Sequence, residues 1–141
     1  MSGKYPYVIR YKYPHMIEEE KSVWDRFVVK YPDFFETVDY DFRVGKGQEP
    51  IEDFAENYNR MAQMLSQHRI DVLGWEGDEP TIVEVKGRAL LATIGQLQGY
   101  KVLFEKSFPV FGPASMMCVC ASMVDDVRDV FMKLGIPYFI V

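Results

Sequence analysis

Two acids and a lysine carry the strongest chemical signal in the chain. In the stretch HRIDVLGWEGDEPTIVEVKG, residues 68–87, Gly77-Asp78 reads as a two-residue hairpin turn. Pairing outward from it sets Glu76 against Glu79, Trp75 against Pro80, Leu73 against Ile82 and Asp71 against Glu84. Like charges placed directly opposite, with Cβ atoms about 4.5–5.5 Å apart, destabilise a sheet. A divalent cation between them offsets the repulsion. Mg²⁺ takes hard oxygen ligands from one or two carboxylates and keeps positions open for water and phosphate oxygens. Lys86 lies two residues past Glu84, so it projects from the same face and stands beside the ion. These groups together suit the cleavage of a phosphodiester.

The competing reading makes Glu84 and Lys86 an exposed ion pair, on a strand whose buried face is Thr81, Val83 and Val85. Against it stand Ile82, Leu73 and Trp75, which make the acidic face apolar as well. Large apolar residues around two opposed carboxylates fit a cleft better than open solvent.

The elements that must position these groups follow from periodicity. Residues 16–31 have helical spacing, with Ile17, Trp24, Phe27, Val28 and Tyr31 on one stripe and Pro32 as the stop. Glu20 shares that stripe, whereas Glu18 and Glu19 point away. Residues 37–45 alternate Val38, Tyr40, Phe42 and Val44 against Asp39, Asp41 and Arg43, which predicts a strand with a solvated charged face and two surface aspartates. Phe54, Tyr58, Met61 and Leu65 predict an amphipathic helix over about 51–67, covering the sheet or a partner. Strands at 69–75 and 80–86 follow, then a helix at 89–106, a strand at 115–122, a helix at 125–134 closed by Gly135, and a final strand at 138–141. In the arm, residues 1–14, the tyrosines Tyr5, Tyr7, Tyr11 and Tyr13 fall with Ile9 on one side of an extended segment. That segment is read as an edge strand or a flexible strip. His15 and His68 have no metal-ligand spacing and are expected at the surface or as caps.

At 141 residues and 48% hydrophobic content the chain suits a single domain with one core. No apolar run approaches the roughly 18 residues of a membrane span, and the N-terminus has no signal-like block, so a cytoplasmic protein is expected. Cys118 and Cys120 are expected on opposite faces of a strand, unable to bridge, as small buried residues. They are too few for the four thiolates of an iron-sulfur cluster. A net charge of −5 disfavours coating of nucleic acid by bulk attraction. It permits an enzyme whose acids gather around cations.

An Asp, a turn and Glu-x-Lys on the next strand resemble the PD-(D/E)XK nuclease superfamily, although Ile70 stands where the name-giving motif has proline. Gln96 and Tyr100, in the stretch QLQGY, are similar to the Gln-x-x-x-Tyr of its RecB-like and lambda-exonuclease-like branch. Spaced by four, they share one face of the helix, at the border of a stripe of Leu90, Ile94, Leu97 and Phe104. Glu20 resembles the inward Glu that often completes the superfamily's metal site, with Glu19 as its alternative. The resemblance covers roughly residues 17–141. It implies an α/β fold with a restriction-endonuclease-like core, a mixed central sheet flanked by helices in the order αβ(α)ββαβαβ.

The resemblance further implies a Mg²⁺- or Mn²⁺-dependent deoxyribonuclease. Asp71, Glu84, the Val85 backbone carbonyl and Glu20 would hold metal, and Lys86 the attacking water. Gln96 would orient water or phosphate, and Tyr100 would contact the DNA backbone. Gly95 and Gly99 on the same helix suggest close approach of a backbone or phosphate, or plain helix–sheet packing. Local attraction for single- or double-stranded DNA would come from Arg69, Arg88, Lys101 and Lys106, and from Lys4, Arg10 and Lys12 among the arm's tyrosines. Two other classes compete. One is a nuclease-fold module that binds nucleic acid or protein without cutting, which leaves Lys86 unexplained. The other is a carboxylate-pair hydrolase of sugars, which explains neither Lys86 nor the Gln-x-x-x-Tyr helix. A homo-oligomer, a larger DNA-processing complex, and a phage or mobile-element setting are compatible expectations.

Overall fold

The alternating segments assemble into one mixed sheet of six strands lying in chain order, in a computed structural model that describes residues 3–141. The strands are β1 (Tyr5–Pro6), β2 (Thr37–Val44), β3 (His68–Glu76), β4 (Glu79–Ala89), β5 (Ser115–Met123) and β6 (Tyr138–Ile140). Strands β1 to β4 pair antiparallel, whereas β5 and β6 join in parallel. A parallel neighbour needs a crossover. Helices α3 (Leu91–Ser107) and α4 (Asp125–Leu134) supply the two crossovers. Helix α1 (Glu18–Lys30) lies ahead of β2, and α2 (Glu56–Ser66) interrupts the connection from β2 to β3. The expected element order holds, with the short β1 and a 3-10 turn at Pro109–Phe111 added.

Each face of the sheet has its own apolar layer. Val23, Trp24 and Phe27 of α1 pack on Val38, Val72, Val83, Val85 and Val119. On the other face, Leu97 and Phe104 of α3 and Phe131 of α4 pack on Leu73, Trp75, Ile82 and Cys118. Strand β4 is therefore apolar on both sides, as strands covered on both faces are. The α1 layer is fixed by a buried hydrogen bond of 3.1 Å from Trp24 Nε1 to the Tyr40 hydroxyl. Helix α4 ends at Gly135, whose φ of 67° is the left-handed conformation that glycine adopts without a Cβ penalty.

Several expectations fail here, each for a local reason. Val38 and Tyr40 face the α1 layer, but Phe42 and Val44 face the α3 layer, so β2 does not keep one apolar face. Asp41, at φ 52°, reverses the strand between them. Asp41 is also not a solvated surface acid: only 10% of its side chain is exposed, and His15 and Arg69 contact it. The arm is not one-sided either. Tyr7 and Tyr13 are core residues whereas Tyr11 is 97% exposed. Cys118 and Cys120, two residues apart, share the α3-side layer because positions of equal parity on a strand point the same way. Ile17 and Leu90 lie outside their expected stripes, as exposed residues just ahead of α1 and α3. Helix α2 is shorter than expected and buries no residue, so it does not cover the sheet.

Candidate active site

The β3–β4 hairpin has the expected register: Glu76↔Glu79, Trp75↔Pro80 and Leu73↔Ile82 are partners. Gly77 makes the turn possible with a φ of 58°, and its N–H donates to Glu36 Oε1 at 2.7 Å. The ladder ends at Val72↔Val83, one position short of Asp71 and Glu84. On its other side β3 pairs with β2 at Val72↔Tyr40 and Ile70↔Phe42, and Asp71 is skipped there too. Regular pairing thus ends before Asp71 on the β4 flank and is interrupted at Asp71 on the β2 flank, where it resumes at Ile70. The Asp71 side chain takes over: Asp71 Oδ2 accepts the Val85 N–H at 3.0 Å. This corrects the simple picture of two ladder partners, and it ties Asp71 to the strand segment that carries Glu84.

Glu84 is 1% exposed, in a segment whose neighbours Ile82, Val83 and Val85 are all buried. Because Val83 and Val85 face the α1 layer, Glu84 faces α3. Neither of its oxygens has a hydrogen-bond partner of regular geometry. Its carboxyl is pushed up to about 10, mainly by burial. The closeness and charge of Asp71 add to the rise, and Lys86 opposes it more weakly. A buried carboxyl with two orphaned oxygens is costly unless something pairs with it.

Among the described residues no group of three or more His, Cys, Asp or Glu side chains is arranged to hold a metal ion. Two carboxylates are brought together here, and Mg²⁺ is commonly bound through one or two carboxylates with water and phosphate filling the remainder. The orphaned Glu84 oxygens beside Asp71 therefore fit a hard divalent cation. Glu20 is half-buried and within electrostatic reach of Asp71 and Lys86, and burial raises its carboxyl. Its Oε1 accepts the Ile17 N–H at 3.2 Å, so it also caps α1. Glu19 is exposed and lies over Gly87, where an added Cβ would fall 1.7 Å from Glu19 Oε1.

Tyr100, on α3, is close enough for Glu84 and Asp71 to raise its hydroxyl after burial, with a hydrogen bond to Gln96 acting in the opposite direction. Lys86 is half-buried at the same end of β4. The candidate cations differ in availability. Arg88 is exposed, Lys101 is paired with Glu105, and Arg69 lies 3.7 Å from Asp41. Gly95 and Gly99 have nothing within 4 Å of an added Cβ, so helix–sheet packing does not account for them.

One cluster beside Asp71 escapes the sequence reading. His15 Nε2 is 3.2 Å from Asp41 Oδ2, and Arg69 Nη1 is 3.2 Å from His15 Nδ1. His15 and Asp41 both have positive φ, 57° and 52°, which is uncommon away from glycine. Asp41 stands across from Asp71, in the gap between the pairs Tyr40↔Val72 and Phe42↔Ile70. Residues so far apart in sequence leave no local signal. The only hint is that Asp and His tolerate the left-handed region better than most side chains.

No protein-family model and no curated protein matches the chain. Among solved structures, a repair endonuclease from Pyrococcus abyssi is similar over 89% of this chain and 48% of its own, with a TM-score of 0.50 and 16% identity. An EndoMS-dsDNA2 complex is similar over 94% of this chain and 48% of its own, with a TM-score of 0.49 and 15% identity. The chain spans about half the length of each structure it matches. Among the described residues the fold is a restriction-endonuclease-like α/β core, a mixed sheet flanked by four helices. No helix among the described residues is long and apolar enough to cross a membrane.

Proposed function

We propose that the chain is a metal-dependent nuclease that hydrolyses DNA phosphodiester bonds at Asp71, Glu84 and Lys86. The observation that carries this reading is the buried, unpartnered Glu84 carboxyl set beside Asp71. A divalent cation, Mg²⁺ or Mn²⁺, bound there would acidify water and offset charge gathering on the scissile phosphate. Asp71 and Glu84 would hold it, with the Val85 carbonyl and Glu20 as further oxygens. The Val85 N–H engages Asp71 Oδ2, one of its two oxygens. The Lys86 ammonium, a compact point charge, orients the attacking water and stabilises the phosphorane-like transition state. Gln96 and Tyr100, on the α3 face above Glu84, orient the phosphate and the DNA backbone. The likeness in fold to a repair endonuclease supports the class of reaction.

The test is incubation with single- and double-stranded DNA, with and without Mg²⁺ or Mn²⁺, beside the Lys86→Ala variant. Metal-dependent cleavage that the variant loses is the expected result. DNA retention with no cleavage by either protein would replace this reading with a binding module of nuclease fold.

A further inference from the structure

A cavity of about 730 Å³ lies where the loop leaving β2 meets the last turn of α3. Lys46 lines it from the loop, and Leu103 and Lys106 line it from the helix, with His68 of β3. No acid is among its lining residues, in a chain whose net charge is −5. A concave site with two ammonium groups and no carboxylate selects an anion. Its volume falls within the roughly 300–1,000 Å³ of small-ligand sites.

The loop is held in one shape. Gly45 and Gly47 have φ of 85° and 69°, and an added Cβ at Gly47 would lie 2.2 Å from the Gln63 carbonyl oxygen. Gln63 Nε2 donates to the Lys46 carbonyl at 2.9 Å, and Gln67 Nε2 to the Gly45 carbonyl at 2.7 Å. The loop backbone is thereby tied down, which leaves the exposed Lys46 side chain for a ligand.

The cavity adjoins the candidate active site. The His68 and Tyr100 rings are 6.0 Å apart, and Tyr100 is under the influence of Glu84 and Asp71. His68 precedes Asp71 by three residues on β3, roughly 10 Å along a strand. That distance is short enough for one extended anionic ligand to span the cavity and the Asp71–Glu84 pair. Leu103 adds an apolar wall, which inorganic phosphate has no use for and a nucleotide does.

We propose that this cavity seats a nucleotide flanking the scissile bond of a DNA strand, its phosphate between Lys46 and Lys106 and its sugar or base against Leu103 and His68. The assignment rests on the nuclease reading for its substrate and on the cavity for its place.

The test is fluorescence anisotropy of a labelled single-stranded oligonucleotide with the full chain in EDTA, so that binding is read without cleavage. The Lys46→Ala/Lys106→Ala double variant is expected to raise Kd at least tenfold. The slope of log binding constant against log salt should become shallower by about 1.4, for two phosphate contacts at about 0.7 each. The Lys46→Arg/Lys106→Arg variant should bind like the parent, which shows that charge and not fold is responsible. An unchanged Kd and slope in the alanine variant overturns the assignment. So does dTMP that displaces the oligonucleotide at the oligonucleotide's own Kd, since the site then takes free nucleotides. If the parent cleaves DNA and the alanine variant binds like it, the cavity assignment falls alone. If the parent never cleaves but the alanine variant loses binding, the nuclease reading falls and the cavity stands only as the seat of one nucleotide of a bound strand.

Discussion

Asp71 and Val85 are joined by a side-chain to main-chain hydrogen bond of 3.0 Å at the level where β3 leaves the ladder. The acid is thus placed by the strand that carries its partner Glu84. The same bond gives Asp71 two separable duties, holding a buried N–H and carrying charge.

Substitution separates those duties. Asp71→Asn keeps an oxygen for the Val85 N–H and should change unfolding free energy by less than about 0.5 kcal/mol. Asp71→Ala leaves that N–H unpaired and should cost about 1–2 kcal/mol. Both variants should lose any rise in Tm that Mg²⁺ or Mn²⁺ gives the parent. Urea denaturation and thermal melts with and without metal read the two effects.

Glu84 should make the metal-free protein weaker as pH rises. Its folded carboxyl sits at about 10 against an ordinary 4.5, so between these values the unfolded chain releases a proton that the folded chain retains. Stability from this group is full below about pH 4.5 and falls through the window up to about 10. Glu84→Gln removes the titration. It should stabilise the metal-free fold by on the order of 3 kcal/mol at pH 7, by less at pH 5 and by more at pH 8. Denaturant melts across that range decide it, and a pH-independent difference would rule out a buried protonated Glu84.

On the proposed function, a cation held by Glu84 would expel its proton. Affinity for Mn²⁺ should rise about tenfold per pH unit between pH 6 and 8, with close to one proton released per ion. Calorimetric titration in two buffers of different ionisation enthalpy measures the proton directly.

The glycines of β3 and α3 should respond in opposite directions. At Gly74 an added Cβ would lie 2.4 Å from the Phe35 ring, so Gly74→Ala should cost about 1–3 kcal/mol. Gly95→Ala and Gly99→Ala meet nothing and should each stabilise the helix by about 1 kcal/mol. If a phosphate approaches this face, the same two variants should also bind DNA more weakly, which anisotropy would show.

The hairpin was readable because a two-residue turn fixes register, and register fixes which side chains meet. The burial of Glu84 was readable from Ile82, Leu73 and Trp75, which turn an ordinary Glu-x-Lys into an acid enclosed by apolar neighbours. The fate of β2 was not. One left-handed residue, Asp41, reverses an alternation that otherwise runs unbroken from Val38 to Val44. The tyrosine arm misled in the same way, because turns within a short extended segment undo parity that the letters preserve. Contacts such as His15 with Asp41 depend on those reversals, so periodicity has no access to them.

The connection from Gly45 to Gln67 contributes no buried residue, although it holds a complete helix. The sheet's stability is therefore indifferent to what this appendage is made of, and loop-closure entropy changes by only about 0.6 kcal/mol per doubling of length. Replacing it with a brief turn should leave a molecule that still folds and still brings Asp71 and Glu84 together, but with one wall of the lysine-lined cavity gone. Sequence drift can reshape ligand preference at that rim without endangering the scaffold beneath it.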